Sequence, residues 1–264
     1  MFQQVSAPVT VNRPLTGDYW LIELEAPGIA KALTPGQFVN VRIPGLSPFL
    51  RRPFSVYRVT AERTRLQVAY KVLGEGTRLM TRLSEGGLCD VIGPLGKGFT
   101  LPDNAERIAV IGRGIGIAAL PTLVDAAAAR DIDVKGFLSA RTLPNLVAID
   151  IFNEHGFSVE THVDGDRSVE LVTDHLERAM RDTSFHAIYV CGSNRLARAA
   201  HQLAADAGIP SEIAMEQHMA CGFGDCHGCV IEVNTNRART EKAWREVCHY
   251  GPVFQTWEVV NASA

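Results

Sequence analysis

Three cysteines crowd into "MACGFGDCHGCVIEV", Met219 to Val233: Cys221, Cys226 and Cys229, spaced C-x4-C-x2-C. Two chemistries compete for thiolates at such intervals. Structural zinc takes four ligands in a tetrahedron, usually from two C-x2-C-type pairs. A plant-type [2Fe–2S] cluster takes C-x4-C-x2-C and a fourth, remote cysteine. Gly222, Gly224 and Gly228 suit the cluster, because the backbone must approach the inorganic sulfides through turns that glycine tolerates. The fourth ligand must lie downstream, and Cys248, in "REVCHYGPVF", is the only cysteine after Cys229. The spacing favours the cluster over zinc. With four thiols at hand, the neighbouring His218, His227 and His249 read as surface or supporting residues.

A second chemistry is spread over four short stretches. "LRRPFSVY" (Leu50–Tyr57) could place the Arg52 guanidinium and the Ser55 hydroxyl beside one phosphate, with an aromatic facing a flat ring; alone it is also an ordinary strand. In "KVLGEGT", Gly74 and Gly76 open a turn and Thr77 stands at a helix start, where free N–H groups bind phosphate or a threonine merely caps. "GRGIGIAALP" (Gly112–Pro121) is a glycine-rich strand-to-helix turn that lets a backbone approach a pyrophosphate. Its glycines 112, 114 and 116 alternate strictly, unlike G-x-G-x-x-G. "YVCGSN" puts Cys191 and Gly192 at a strand's carboxyl end, where ligands of parallel sheets bind; Cys191 could flank a nicotinamide there, or be a small buried residue. Cys89, in "EGGLCDVIGPLG", reads as core.

The elements that must carry these residues change character along the chain. Up to about residue 100, short alternating runs ("YWLIELEAP", "GQFVNVRIP", "FSVYRVTA", "TRLQVAYKV") are punctuated by Pro and Gly, the pattern of a small antiparallel barrel. "GTRLMTRLSEG" interrupts them with a helix. From "RIAVIG" onward the pattern is strand, glycine-rich turn, Ala-rich helix to about Arg130, and the strand "VKGFLSA", which makes a βαβ unit. "FSVETHV" and "FHAIYVCG" continue the strands; "SVELVTDHLERAM" and "NRLARAAHQLAADAG" continue the helices. The sequence therefore predicts three units: a β-barrel over 1–101, an α/β doubly wound nucleotide-binding domain over 102–212, and a small cluster-binding module over 213–264.

Composition narrows the field further. With 46% hydrophobic and 21% charged residues and a net charge of -3, the chain is an ordinary globular one with no electrostatic case for nucleic acid. No apolar run approaches the roughly 20 residues of a membrane span. The N-terminus lacks the charged start and apolar core of a signal peptide, and Cys-ligated metal suits a reducing compartment, so a cytoplasmic location is expected.

Taken in order, the barrel with "RRPFS" and "KVLGEGT", then "GPLGKGF", the glycine-rich turn, C-G, "MACGFGDCHGCVIEV" and "VCHYGPVF" resemble the ferredoxin–NADP⁺ reductase superfamily over essentially the whole chain. Within it the chain is most similar to the electron-transfer subunits of class 1B dihydroorotate dehydrogenases. The closing C-x-x-G-P-V-F ties Cys248 to that family. The resemblance implies FAD held by Arg52, Pro53, Phe54 and Ser55, with Tyr70, Lys71 and Val72 on its adenine or ribityl side and Gly76 and Thr77 at its pyrophosphate. It implies an NAD(H) pocket bordered by Gly112, Gly114 and Gly116, with Cys191 as the catalytic neighbour of the nicotinamide and Gly192 beside it. Cys221, Cys226, Cys229 and Cys248 would ligate the cluster. The implied partner is an FMN-containing catalytic dehydrogenase subunit in a hetero-oligomer; the same electronics serving another oxidoreductase is the alternative. The chain departs from the family's G-G-G-I-G-I-A-P-L at Arg113 and from its T-D-D-G-S at "THVDGD", Thr161 to Asp166. Both departures touch the NAD side. Arg141 would suit a 2′-phosphate, which leaves NADP(H) open.

Overall fold

Alternating apolar residues fold the first hundred positions into β1 (Gln3–Thr16), β2 (Tyr19–Glu25), α1 (Pro27–Ala32), β3 (Phe38–Arg42), β4 (Arg52–Ser55), β5 (Arg58–Val59), β6 (Arg65–Lys71), α2 (Glu75–Met80) and β7 (Leu88–Leu95). The computed structural model describes residues 1–43, 49–164 and 171–259. Its first seven strands pair antiparallel in the order β4-β3-β7-β1-β2-β6-β5. The two ends of that order are consecutive in sequence, so the barrel closes through them. "FSVYRV" is accordingly two strands and not one. Val56 N donates to Gln37 O at 3.2 Å and Tyr57 N to Gln67 O at 2.8 Å, so the chain leaves β3 and joins β6 within two residues. The first strand, β1, is not among the runs expected above, although Val5, Ala7, Val9 and Val11 alternate with Ser6, Pro8, Thr10 and Asn12. It pairs with β7 over Gln3–Pro8 and with β2 from Val9 on, with a register shift beside Pro14. Proline is tolerated at such bulges because no ladder donor is needed there.

The second unit alternates β8 (Arg107–Arg113), α3 (Pro121–Ala128), β9 (Asp133–Ala140), α4 (Ile149–Glu154), β10 (Val159–Val163), α5 (Val172–Asp182), β11 (Ile188–Cys191), α6 (Asn194–Ala207) and β12 (Ser211–Ala214). The expected Ala-rich helix is preceded by a 3-10 turn over Gly114–Ala119, and Pro121 opens α3, a position where its missing N–H costs nothing. The last unit contributes β13 (Val230–Asn234), β14 (Lys242–Glu246), α7 (Val247–Tyr250), β15 (Val253–Gln255) and α8 (Thr256–Val259). The main sheet runs β10-β9-β8-β11-β12-β15, parallel until β15, which is antiparallel to β12. The boundary expected after residue 212 falls inside β12. All four residues of β12 are buried, and its free edge is covered by β15 returning from beyond Cys248.

The pleat of β8 decides what packs on each face of the sheet. Ile108 and Val110 face Leu123, Val124 and Phe152, together with Tyr19 and Tyr57 of the barrel. Ala109 and Ile111 face Leu176 and Ala200, in one core with Phe38, Leu95, Cys229 and Cys248. One strand thus anchors the barrel on one side and the cysteine-bearing unit on the other. The barrel side is clamped further by Arg58, whose guanidinium reaches Asp125 of α3 at 3.1 Å and Glu154 of α4 at 2.6 Å. Burial opposes its charge, but the two carboxylates raise its pKa well above the usual arginine value.

Removing this clamp should loosen the barrel from the α/β unit. Arg58→Ala is expected to lower the unfolding free energy by about 1–3 kcal/mol, as for hydrogen bonds to charged groups. A double-mutant cycle with Asp125→Ala in urea should show positive coupling that shrinks in high salt; additive effects would deny the clamp.

Candidate functional site

The cysteine loop leaves β12 and returns as β13, and glycines shape it. Gly222 and Gly224 have φ of +84° and +92°, conformations that L side chains rarely adopt. The loop's amides turn inward onto sulfur. Gly224 N donates to Cys248 Sγ at 3.1 Å, Gly228 N to Cys226 Sγ at 3.4 Å, Cys226 N to Cys221 Sγ at 3.5 Å, and Cys248 N to Cys229 Sγ at 3.4 Å. Burial opposes ionisation of Cys221, but amides of Cys226, Phe223 and Asp225 pull its thiol down to about 6. Burial, reinforced by the adjacent Cys229, pushes Cys248 up.

The thiols fall into two pairs. Cys229 and Cys248 lie 3.3 Å apart, and Cys221 is joined to the amide of Cys226. Among the described residues, no group of three or more His, Cys, Asp or Glu side chains is arranged to hold one metal ion. Two pairs fit a two-iron rhomb with two thiolates at each end better than they fit a single tetrahedral zinc. Amides aimed at sulfur are what a thiolate cluster needs, because such hydrogen bonds set its potential. Of the nearby histidines, His227 is bonded to Glu246, Gly224 packs against the ring of His249, and His218 lines a groove described below.

Beside this loop runs a cleft of about 290 Å³ walled by all three units. Pro53, Phe54 and Ser55 come from β4, Ala69, Tyr70 and Lys71 from β6, Thr77 from α2, and Ile115 and Ala118 from the glycine-rich turn. Phe38, Met215, Glu216, Gln217, Met219 and Pro252 complete it. Two further clefts open from it. One, of about 430 Å³, is lined by Tyr19, Lys71, Arg113, Gly114, Gly116, Arg141 and Gly192, among others. The other, of about 790 Å³, holds Leu50, Arg51, Arg52, Pro53, His218 and Gly228. Glu216 lines all three. Apolar and aromatic walls, with Lys71 as the cation and the Ser55, Tyr70 and Thr77 hydroxyls, Glu216 and Gln217 as polar groups, suit a flat ring with polar edges, so the cleft fits a flavin.

Most of the expected residues meet here, and some do not. Arg52 lines the third cleft, where its guanidinium donates to Leu50 O at 2.5 Å. Val72 packs on the barrel core, and Leu73 takes its place in the cleft. Gly76 is buried within α2. Gly112 lies beneath the turn, where a Cβ would meet Ile117 and Leu120 at 2.9 Å. Cys191, expected as the catalytic neighbour, is fully buried, lines none of the clefts and directs its thiol at Ala214 O, 3.5 Å away. Burial pushes its pKa far up and its thiol faces none of these clefts, while Gly192 does reach the cleft. Cys89 is core, its thiol raised to about 11 by burial. Arg113 is ion-paired to Asp164 at 2.7 Å; Gly165 and Asp166 of the "THVDGD" stretch lie outside the described residues. Glu216, Gln217, Met215, Tyr19 and Asn145 carried no signal in the sequence, because each is brought to the cleft by chain connections between units.

A closed barrel docked on a doubly wound sheet, with a thiolate loop opening on their shared cleft, defines an electron-transfer flavoprotein of the ferredoxin-reductase type. Comparison with known proteins agrees. Residues 216–260 match the family model of the iron–sulfur cluster binding domain of dihydroorotate dehydrogenase B. The "dihydroorotate dehydrogenase B (NAD(+)), electron transfer subunit" of Desulforamulus reducens is 33% identical, covering 91% of this chain and 92% of that one. The same subunit of a Geobacillus species is 31% identical over 98% and 100%. In structure, the chain is similar to one in an NADH-dependent reduced ferredoxin–NADP oxidoreductase, with a TM-score of 0.82 and 25% identity over 96% and 89%. Phthalate dioxygenase reductase shares the fold at a TM-score of 0.64. The chain belongs to the family of dihydroorotate dehydrogenase B electron-transfer subunits.

The paired thiols generate a direct test. Cys229→Ser and Cys248→Ser should each strip iron and acid-labile sulfide from the purified protein, whereas Cys89→Ser should retain both. Iron retained in full by Cys248→Ser would remove that residue from the ligand set.

Proposed function

We propose that this chain passes electrons between NAD(H) and an FMN-containing dihydroorotate dehydrogenase subunit, through FAD and a [2Fe–2S] cluster. The observation that carries this reading is the shared wall: Met219 and Pro252 line the flavin-sized cleft, two and four residues from the ligands Cys221 and Cys248. When bound, the flavin supplies two-electron exchange with a nicotinamide and one-electron exchange with the cluster.

The chain's own residues position these groups. Pro53, Phe54, Ser55, Tyr70 and Lys71 shape the flavin cleft, and Thr77 closes its α2 end. The Thr77 hydroxyl is engaged by its own turn, accepting from Leu73 N at 2.9 Å and Gly74 N at 3.1 Å, so it fixes the loop's shape. Arg52 supplies a cation from the adjoining groove for the pyrophosphate. Gly114, Gly116 and Gly192 floor the dinucleotide cleft, with Arg113 and Arg141 as cations at its rim. Cys226 is exposed. Around it Phe223 stacks on Phe2 with ring centroids 5.7 Å apart, and Leu50 is exposed nearby; this face presents the cluster to the partner subunit. Residues 1–101 serve FAD, 102–212 with β15 serve NAD, and the segment from 213 holds the cluster. No helix among the described residues is long and apolar enough to cross a membrane, and thiolate ligation suits the reducing cytoplasm, where we place the protein.

Anaerobically purified protein should show flavin and iron–sulfur absorption, both bleached by NADH. Cys226→Ser should keep FAD and NADH-to-dye activity but lose transfer to the catalytic partner; transfer that persists without a cluster would sink the proposed path. Gly116 admits little, since a Cβ there would meet the Cys191 carbonyl and the Gly192 backbone at 3.3 Å. Gly116→Val should raise KM for NAD(H) about tenfold, in line with overpacking costs of about 1–3 kcal/mol, with flavin and iron content unchanged.

A further inference from the structure

Asn40 sits on β3, opposite Pro53 of β4 and Ile92 of β7. It is fully buried, and Phe38, two residues earlier on the same strand face, lines the flavin cleft. Its Nδ2 donates to the backbone carbonyl of Cys221 at 2.7 Å. The next residue of the loop makes room for it: at Gly222 a Cβ would lie 2.6 Å from Asn40 Nδ2. The orientation of the amide is fixed, because only its NH₂ end can face a carbonyl oxygen. Its other end is then left over, and Oδ1 is buried with no hydrogen-bond partner among the described residues.

An unpaired buried carbonyl is a cost that leucine, of similar size, would avoid. The carboxamide is therefore there for its donor, and that donor is spent on the backbone of a cluster ligand. We propose that Asn40 is a positioning residue for electron transfer between flavin and cluster. This rests on the cofactor reading above. One rigid barrel strand holds the flavin cleft through Phe38 and the first thiolate ligand through Asn40, fixing the spacing of donor and acceptor. The cleft residues would hold the flavin and the cysteine loop the cluster, and the transfer concerned would move one electron from NADH-reduced flavin to oxidised cluster.

The test compares Asn40→Leu and Asn40→Asp with Asn234→Leu in the full chain carrying FAD and cluster. Asn234 is also buried, and its Nδ2 donates to Trp257 O and Glu258 O away from the cleft. In stopped flow, both Asn40 variants should be reduced by NADH at the flavin as fast as the parent. Cluster reduction should then slow about ten- to hundredfold, the usual cost of losing a ligand-orienting partner, and the g-values of the reduced cluster should shift. Asn40→Asp keeps the side chain's shape and, read at the alkaline end of a pH series where its carboxylate is ionised and cannot donate, decides the matter if Asn40→Leu does not fold. Unchanged cluster reduction and g-values in Asn40→Asp would overturn the proposal. So would the same losses in Asn234→Leu, since they would mark general loosening. Parent protein with no cluster at all would instead refute the cofactor reading.

Discussion

The corner at Val56 and Tyr57 is the constraint on which the rest depends. By passing from β3 to β6 in two residues, the segment Arg52–Val59 joins the two ends of the strand order and closes the barrel at this corner. The same eight residues line the flavin-sized cleft at Pro53, Phe54 and Ser55, and hold the interdomain core at Tyr57 and the clamp on α3 and α4 at Arg58. The ring-facing side chains are thereby fixed to the element that also docks the dinucleotide unit.

The cysteine-bearing unit is held to the same barrel beside its first and its last cysteine. Asn40 grips the loop at Cys221, and Lys97 N donates to Gly251 O just past Cys248. At Gly96 a Cβ would strike Pro252 at 2.5 Å, so the chain after β7 lies directly on the segment that follows the fourth cysteine. The apolar Cys229 and Cys248 share a core with Ala109 and Ile111 of β8. The cluster loop therefore cannot move without disturbing the walls of the cleft. That rigidity suits electron transfer, in which the protein's contribution is to hold groups at fixed separation and set their potentials.

Buried polar groups are concentrated where units meet. Glu212 accepts from Thr100 N at 2.8 Å and from Gln255 at 2.9 Å, joining the barrel's exit to β12 and β15; burial raises its pKa despite those donors. His201 links Thr256 to Arg239 and so ties α6 to α8 and the β13–β14 turn. Its pKa is lowered by burial first and then by Arg239 and Arg237, so the neutral ring is the form the fold holds. Each network spans elements far apart in sequence, and each is satisfied only in the assembled molecule.

The sequence by itself determined the chemistry. C-x4-C-x2-C with a late Cys248 named the cluster, and alternation then βαβ grammar named the barrel and the sheet, because those signals depend on spacings of a few residues along one chain. Short-range rules also explain what was missed: "FSVYRV" read as one strand because nothing local announces a corner. Tertiary structure alone decided which side chains reach the cleft. It buried Cys191 against Ala214, turned Val72 onto the barrel core and brought Glu216 to the junction of three clefts. It also returned β15 to the edge of β12, so the boundary expected after residue 212 falls within a strand of the main sheet. Those outcomes follow from long-range packing of one unit on another, for which no pattern of neighbouring residues is a record.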